Sequence, residues 1–365
     1  MTSDTLKRLI AARGSIMVDP PLLQPADVFL DLAGEDLRRR LYLTQGPDGA
    51  ELCLRPDFTI PVCRIHLDGG AAGRRAEYGY VGPIFRHRAS ASGAVTQAGV
   101  ESFGRADREA ADADTLAFAI EACRAMGVAD PAIRIGDSSL FVAALDALGL
   151  PAAWRARLHR LFGDRVRLDR CLARAAEDAG NGAGGPAGFL AALEGSAPEA
   201  ARAVVEDLLS IARINPVGGR TAGEIAERFL EQATLAAGAG IGEKGASFLS
   251  GLLDIHGPAD KAGDAIADLT ASAGVDLSAA IESYRRRLAA FAANGIDVSR
   301  IEFSAEFGRR LDYYSGFVFE VEGPAGVLAR GGRYDGLVAH MGAGGPVPAV
   351  GCALWIDRFE IGGAK

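Results

Sequence analysis

Short stretches in which apolar and polar residues alternate lie near both ends of the chain, and such alternation is typical of β-strands with one buried face. The predicted strands are a short one near Ile16, then Arg40–Thr44, Glu51–Leu54, Glu77–Phe85, Ala98–Phe103, Ala132–Gly136, Ile301–Ala305, Phe317–Glu322, Ala325–Ala329 and Ala349–Trp355. A turn at Gly46–Gly49 joins the second and third of them, because Pro, Asp and Gly together favour tight turns.

Apolar residues spaced three and four apart predict helices at 4–13, Phe58–His66, Asp107–Met126 and Leu277–Asn294, the last with a basic cluster at Arg285–Arg287. From Ser138 to Val275 the pattern is almost wholly helical, with glycine-rich breaks at 180–186 and 236–240. Strands flank this helical middle without alternating with helices, which predicts an α+β fold with a mainly antiparallel sheet flanked by helices. The predicted division is a first core part at 1–137, a mainly helical insertion at 138–275 and a second core part at 276–365.

Composition excludes several classes of protein. The chain has 365 residues, of which 49% are hydrophobic, and its formal net charge of −8 gives no support for broad binding to nucleic-acid phosphates. The five cysteines form no CxxC pair and the five histidines are scattered, so neither a metal site nor a disulfide framework is expected. No signal peptide or membrane span is evident. We expect a cytoplasmic protein with buried free thiols and no cofactor.

Two pairs of polar residues are candidates for ligand binding, one at the start of the predicted helix Phe58–His66 and one on a later strand. Asp57 and Thr59 stand where the strand ending at Leu54 passes into that helix, so they could cap the helix or accept hydrogen bonds from a ligand ammonium group. Gln97 and Glu101 alternate along a later strand and therefore share a face of the sheet. That face could be exposed to solvent or could line a binding site, in which case both side chains need hydrogen-bond partners.

A second group of candidates lies nearer the C-terminus, in the segments RRLDYYSG and GGRYDG. Arg309 could bind a carboxylate through two parallel hydrogen bonds, the bidentate geometry that a guanidinium favours. The rings of Tyr313, Tyr314 and Tyr334 could line a slot with polar ends. The glycines at 331 and 332 would let the backbone approach a ligand closely, although the second segment could also be a simple turn into a helix.

Six segments occur in the order found in the catalytic core of histidyl-tRNA synthetase, a class II aminoacyl-tRNA synthetase. They are LRPDFT, GPIFRHR, QAGVESFG, RRLDYYSGFVFE, GGRYDGL and VGCALWIDRFE. The chain resembles that core over nearly its whole length apart from the helical middle, and the resemblance implies the class II core fold. The segment Ile16–Pro21 is similar to the family motif that builds the class II dimer interface.

The resemblance also implies a set of histidine-binding residues. It places Asp57, Thr59 and Gln97 around the α-ammonium group of the amino acid. It places Arg309 at the carboxylate. It places Glu101, Tyr314 and Tyr334 at the imidazole. Tyr313 would lie close to them.

Departures from the synthetase pattern occur where a synthetase binds ATP. Arg86 and Arg358 are present, but Arg88 occupies the place of a glutamate that helps to hold ATP. Trp355 occupies the place of a glycine that leaves room for adenine, and the loop 89–96 is shortened. These four residues therefore resemble a vestigial nucleotide site without catalytic residues. The resemblance ends at 365, where a synthetase continues into its anticodon-binding domain, so tRNA binding is not expected.

This combination is similar to the regulatory subunits of ATP phosphoribosyltransferase, a non-aminoacylating branch of the family. The resemblance implies that the chain is not itself an enzyme, that its partner is a short-form catalytic subunit and that L-histidine is the feedback effector. It also implies a class II-like dimer within a larger hetero-oligomer, acting at the first step of histidine biosynthesis. Three alternatives remain open: an active histidyl-tRNA synthetase, another class II amino-acid ligase, and a scaffold whose histidine pocket is vestigial.

Overall fold

A nine-stranded sheet organises the fold, and a separate three-stranded sheet lies in the N-terminal part. This computed structural model describes residues 2–32, 38–71, 73–88, 93–178, 203, 241–308 and 313–361. The strands are β1 (Ile16–Met17), β2 (Leu23–Pro25), β3 (Leu43–Gln45), β4 (Glu51–Leu54), β5 (Ala76–Phe85), β6 (Ala94–Phe103), β7 (Ala132–Asp137), β8 (His256–Pro258), β9 (Ile301–Ser304), β10 (Phe317–Gly323), β11 (Gly326–Arg333) and β12 (Ala349–Trp355).

Helices connect and cover these strands. They are α1 (Thr2–Ala12), α2 (Ala26–Leu32), α3 (Thr59–Asp68), α4 (Arg108–Ala125), α5 (Ser138–Ala147), α6 (Ala152–Leu161), α7 (Arg165–Asp178), α8 (Gly242–Leu253), α9 (Ala259–Ala273), α10 (Ser278–Ala293), α11 (Asp335–Val338) and α12 (Ile356–Ile361). No helix in these described ranges is long and apolar enough to cross a membrane.

The large sheet runs in the order β1-β5-β6-β12-β11-β10-β7-β9-β8. Neighbouring strands are antiparallel except for the pairs β1–β5 and β7–β9. The small sheet has the order β2-β4-β3 and is antiparallel. The prediction of an α+β fold with a mainly antiparallel sheet is therefore confirmed.

Two apolar cores cover the two faces of the large sheet. One core joins α4 and α10 to the strands through side chains such as Leu116, Phe291 and Phe319. The other includes Phe58, just before α3, and Trp355 at the end of β12. Because side chains alternate along each strand, residues of β6 divide between the two cores. The second core surrounds the face on which the candidate binding residues of β6 lie.

The structure differs from the predicted elements at several places: β2 and α2 were not predicted, and β11 extends to Arg333, beyond the predicted Ala329. β6 begins at Ala94, before the predicted Ala98, because residues 94–97 pair with the end of β5. The strand β8 interrupts the predicted helical stretch and pairs with β9 at the sheet edge. A three-residue strand carries too little alternation to be recognised. The predicted breaks at 180–186 and 236–240 lie outside the described residues, and the division of the chain at 137 and 275 stays a prediction.

Candidate functional site

A buried carboxylate on β6 forms the centre of the candidate site. Glu101 is 1% exposed and accepts hydrogen bonds on both oxygens. Thr59 Oγ1 lies 2.7 Å and Tyr80 Oη 3.3 Å from Glu101 Oε1, while Tyr334 donates to Oε2. The strand β6, the start of α3 and the residue after β11 thus meet at one carboxylate.

A glycine on the neighbouring strand makes room for that carboxylate. Glu101 faces Gly351 across the β6–β12 pairing, and a Cβ atom at 351 would lie 1.7 Å from Glu101 Oε2. Real Cβ atoms do not approach other atoms so closely, so a side chain at 351 would displace Glu101. Sequence reasoning identified neither this glycine nor Tyr80. Both contacts depend on which strands lie side by side in the sheet.

Burial changes the proton affinity of the carboxyl groups here. Desolvation raises the pKa of Glu101 to about 7, and the hydrogen bonds from Tyr334, Thr59 and Tyr80 only partly offset this effect. Burial also raises the pKa of Asp57, while the nearby positive charge of Arg86 acts in the opposite direction. Asp57 still touches solvent, so it lies in a recess of the protein rather than in a sealed interior.

Of the two interpretations given for Asp57 and Thr59, helix capping applies to Asp57, and ligand binding stays a prediction for both. Asp57 Oδ1 accepts a hydrogen bond from the backbone N–H of Ile60 at 3.3 Å, so this carboxylate does satisfy a helix-terminal amide. Thr59, by contrast, directs its hydroxyl toward Glu101. The two side chains therefore have different local partners although they stand two residues apart.

The polar face of β6 is buried, so the alternative of a solvent-exposed face is wrong. Gln97 is 2% exposed and its Oε1 atom has no hydrogen-bond partner among the described residues. A buried acceptor without a partner costs free energy, about 1–3 kcal/mol. Such an oxygen is suited to accept a hydrogen bond from a ligand that enters the site.

Three tyrosines lie together beside this face. The ring centroid of Tyr313 is 4.8 Å from that of Tyr314 and 6.0 Å from that of Tyr334. Tyr334 is buried, whereas the other two are half-buried. The predicted aromatic slot is thus present as a cluster of rings. The predicted carboxylate ligand Arg309 lies outside the described residues.

The glycines at 331 and 332 make room for aromatic rings of the protein. A Cβ atom at Gly331 would lie 2.5 Å from the ring of Phe319, and one at Gly332 would lie 2.8 Å from the ring of Tyr314. Close approach of this backbone to a ligand stays a prediction.

Trp355, in the predicted vestigial nucleotide site, is 6% exposed and lies beside two arginine side chains. The guanidinium of Arg358 lies 4.8 Å and that of Arg330 lies 5.7 Å from the ring centroid. Burial lowers the pKa of Arg358, and the positive charges of Arg330 and Arg88 act in the same direction. Trp355 and Arg358, two of the four predicted residues, thus lie in contact, and Arg88 is close enough for its charge to act on Arg358. Arg86 lies nearer to Asp57 and donates to the carbonyl of Pro56 at 2.6 Å.

All five cysteines are buried free thiols, as predicted. Within the part of the chain that the structure describes, no group of three histidine, cysteine or acidic side chains could hold a metal ion.

Comparison with known proteins assigns the family. The family model of histidyl-tRNA synthetase matches residues 2–214 and 203–359. ATP phosphoribosyltransferase regulatory subunits from Brucella ovis and Brucella abortus are each 41% identical over 365 residues, covering 98% of this chain and 96% and 95% of theirs.

Solved structures share the fold. A Bacillus halodurans protein described as an ATP phosphoribosyltransferase regulatory subunit/histidyl-tRNA synthetase matches with a TM-score of 0.66 at 19% identity, over 98% of this chain and 77% of that one. Histidyl-tRNA synthetase from Nostoc matches with a TM-score of 0.60 at 18% identity, over 99% and 70%. The class II synthetase-like fold predicted from the motifs is confirmed, and the chain belongs to the histidyl-tRNA synthetase-like family of ATP phosphoribosyltransferase regulatory subunits.

Proposed function

We propose that this chain is the non-catalytic regulatory subunit of an ATP phosphoribosyltransferase. It binds L-histidine in the pocket around Glu101, activates a short-form catalytic subunit and transmits feedback inhibition by histidine. The names of the 41% identical relatives support the subunit role. The observation that carries histidine binding is the arrangement of polar groups on the buried face of β6.

The pocket offers complementary groups for each part of histidine. Asp57, Thr59 and the unpartnered oxygen of Gln97 accept hydrogen bonds from the α-ammonium group. Arg309, which the family pattern assigns to the carboxylate, completes this end. An ammonium group has three N–H groups to donate, and three oxygens, from Asp57 just before α3, Thr59 at its start and Gln97 on β6, match that number.

The imidazole end is recognised by Glu101, Tyr314 and Tyr334. Imidazole has one nitrogen that donates and one that accepts when it is neutral, and two that donate when it is charged. A carboxyl group whose pKa lies near 7 can accept from either form or donate when protonated. An apolar analogue of the same shape would leave these buried polar groups unpaired and would therefore bind far less tightly.

The surroundings of Trp355 argue against an active synthetase or another ATP-dependent ligase. The indole is buried and two guanidiniums lie over it, so adenine would have to displace the ring. An indole buries about 150–250 Å² of surface, which makes this displacement costly. Arg88 adds a cation beside Arg358 where ATP recognition needs an acceptor.

Self-association through the N-terminal segment fits the exposed apolar side chains. Five of the six large apolar side chains that are exposed among the described residues lie between positions 16 and 43: Ile16, Met17, Leu22, Leu23 and Leu43. Exposed apolar side chains concentrated in one segment favour a protein–protein interface. We propose that two copies pair there, as class II subunits do, within a larger assembly that includes the catalytic subunit.

Titration calorimetry of the purified chain tests the proposed ligand. L-Histidine is expected to bind with one site per chain, and addition of ATP is expected to change neither the affinity nor the heat. Glu101→Ala should abolish binding, whereas Asp48→Ala, on the exposed turn between β3 and β4, should leave it unchanged. Histidine-dependent exchange of pyrophosphate into ATP would instead establish a synthetase, and absence of histidine binding would favour a scaffold with a vestigial pocket.

A further inference from the structure

Five buried charged side chains form a network behind the tyrosines of the pocket. Asp112 on α4 is 0% exposed and accepts from Arg287 Nε at 2.8 Å and from Arg333 Nη2 at 2.6 Å. Arg287, on α10, also donates to Asp137 at 2.6 Å, and Arg333 donates to Asp335 at 3.0 Å. One carboxylate thus joins two arginines that come from distant parts of the chain.

Burying these charges costs free energy, so the network is stable only when its five side chains hold well-defined positions. Each ion loses several kcal/mol of hydration on burial, and the pairing repays this only when the partners hold their positions. Removing one member leaves an uncompensated charge in a medium of low dielectric constant. The hydrogen bond to Asp112 consequently fixes the position of the Arg333 guanidinium.

This network determines the position of Tyr334, because Arg333 and Asp335 are its neighbours in sequence. Asp335 Oδ1 also accepts from the backbone N–H of Ala349 at 2.8 Å, and Tyr334 N–H donates to the carbonyl of the same Ala349 at 2.8 Å. Tyr334, which donates to Glu101, therefore lies between the two residues of a buried ion pair, and its backbone is hydrogen-bonded to β12.

The same network reaches the second tyrosine through one serine. Ser315 follows Tyr314, and its backbone N–H donates to the carbonyl of Arg333 at 2.8 Å. The hydroxyl oxygen of Ser315 accepts a hydrogen bond from the backbone N–H of Asp335 at 2.9 Å. The chain segments that carry Tyr314 and Tyr334 are thus joined directly beside the network.

We infer that Asp112, with Arg287 and Arg333, is a positioning residue for effector recognition, which holds Tyr314 and Tyr334 in place for the imidazole and joins the pocket to α4 and α10. None of the three side chains needs to touch the ligand. The inference rests on the proposed histidine site and adds residues to which the sequence analysis assigned no part in it.

A second link between α4 and α10 provides a matched control. Glu109, one turn before Asp112, accepts from Ser283 Oγ at 2.8 Å and from Arg286 Nη2 at 2.9 Å. These contacts join the same two helices but involve neither Arg333 nor Asp335. Glu109→Gln therefore weakens the helix pair without disturbing the segments that carry the tyrosines.

Calorimetry with L-histidine and with L-histidinol, well below each variant's unfolding temperature, tests the inference. We expect Asp112→Asn to weaken L-histidine binding roughly tenfold, the size typical of changes that act through a packed network. Histidinol keeps the imidazole and lacks the carboxylate, so its affinity should fall by the same factor. Glu109→Gln should change either affinity by less than about twofold.

Ser315→Ala keeps every buried charge and removes one hydroxyl, which accepts from the backbone N–H of Asp335 and donates to the carbonyl of Arg333 at 3.4 Å. It gives a second measurement if Asp112→Asn does not fold. We expect it to weaken both ligands about threefold, in line with the loss of the hydroxyl's hydrogen bonds. Wild-type affinity in folded Asp112→Asn, or in Ser315→Ala if the former does not fold, would overturn the inference. Absence of binding in the wild type would instead overturn the proposed function on which it rests.

Discussion

Glu101 is surrounded by hydroxyl groups, so its charge is stabilised by hydrogen bonds from Thr59, Tyr80 and Tyr334. Burial raises its pKa to about 7, well above the value near 4.3 expected in an unfolded chain. The folded protein therefore binds this proton more tightly than the unfolded chain does. The resulting stabilisation is fully present below about pH 4 and is lost as the pH rises through about 7.

Glu101→Gln removes this titration and keeps the shape of the protonated side chain. The difference in the free energy of unfolding, wild type minus variant, should fall by roughly 2 to 3 kcal/mol as the pH rises from 5 to 8. Urea unfolding at a series of pH values, without histidine, measures the difference. Parallel pH profiles for the two proteins would contradict the raised pKa.

Gly351 offers a test of how tightly the carboxylate is held. Gly351→Ala places a Cβ atom against Glu101 Oε2, and overpacking of this kind costs about 1–3 kcal/mol. We expect this variant to fold and to lose histidine binding, because Glu101 must move. Gly336→Ala, in the neighbouring GGRYDG segment, has open space at its Cβ position and should bind normally in the same calorimetric assay. Equal affinities for the two variants would show that Glu101 is not the recognition group.

Alternation along β6 was enough to predict that Gln97 and Glu101 share a face, because side-chain direction follows strand geometry. It could not predict that the face is buried, since that depends on α3 and the tyrosines packing over it. Arg287 illustrates the same limit: in sequence it belongs to a basic cluster, yet the structure buries it against Asp112 and Asp137.

Among the elements, β12 was predicted accurately because its apolar run is long and ends in a helix. Its end carries Trp355, whose indole lies under Arg330 and Arg358. The pairing of β12 with β6 was beyond prediction, since the two strands are about 250 residues apart in the chain and neither carries a signal for its partner. That pairing brings Trp355 opposite Gln97.

Trp355 reports directly on whether nucleotide enters this region. The chain has two tryptophans, so Trp154→Phe leaves Trp355 as the sole indole. We expect millimolar ATP to leave its fluorescence unchanged, because binding would require Arg358 or the ring itself to move. The same titration on a histidyl-tRNA synthetase serves as the positive control. A saturable change with ATP would mean that the nucleotide site is still functional.

In the whole molecule, the N-terminal segment combines the edge strand β1 with exposed apolar side chains, and the class II resemblance assigns dimerisation to this region. Leu23→Glu places a charge at a residue that is 49% exposed. Burying a leucine contributes about 1.5–3 kcal/mol, so the variant should dissociate at concentrations at least tenfold higher than the wild type.

Sedimentation velocity over a concentration series measures this change. Val166→Glu is the matched control, because Val166 is the one large exposed apolar side chain of the described residues outside positions 16–43. It should sediment as the wild type does. A monomeric wild type, or an equal effect of the two substitutions, would place the interface elsewhere.

The central claim is that this chain senses histidine for a catalytic partner, and reconstitution with a short-form ATP phosphoribosyltransferase catalytic subunit tests it most directly. The measurement is the rate of phosphoribosyl transfer to ATP with and without L-histidine, using either wild-type chain or Glu101→Gln. We predict that both chains raise the rate over that of the catalytic subunit alone, and that histidine inhibits only the complex with the wild type. Equal inhibition of the two complexes would contradict the claim, as would a rate that neither chain changes.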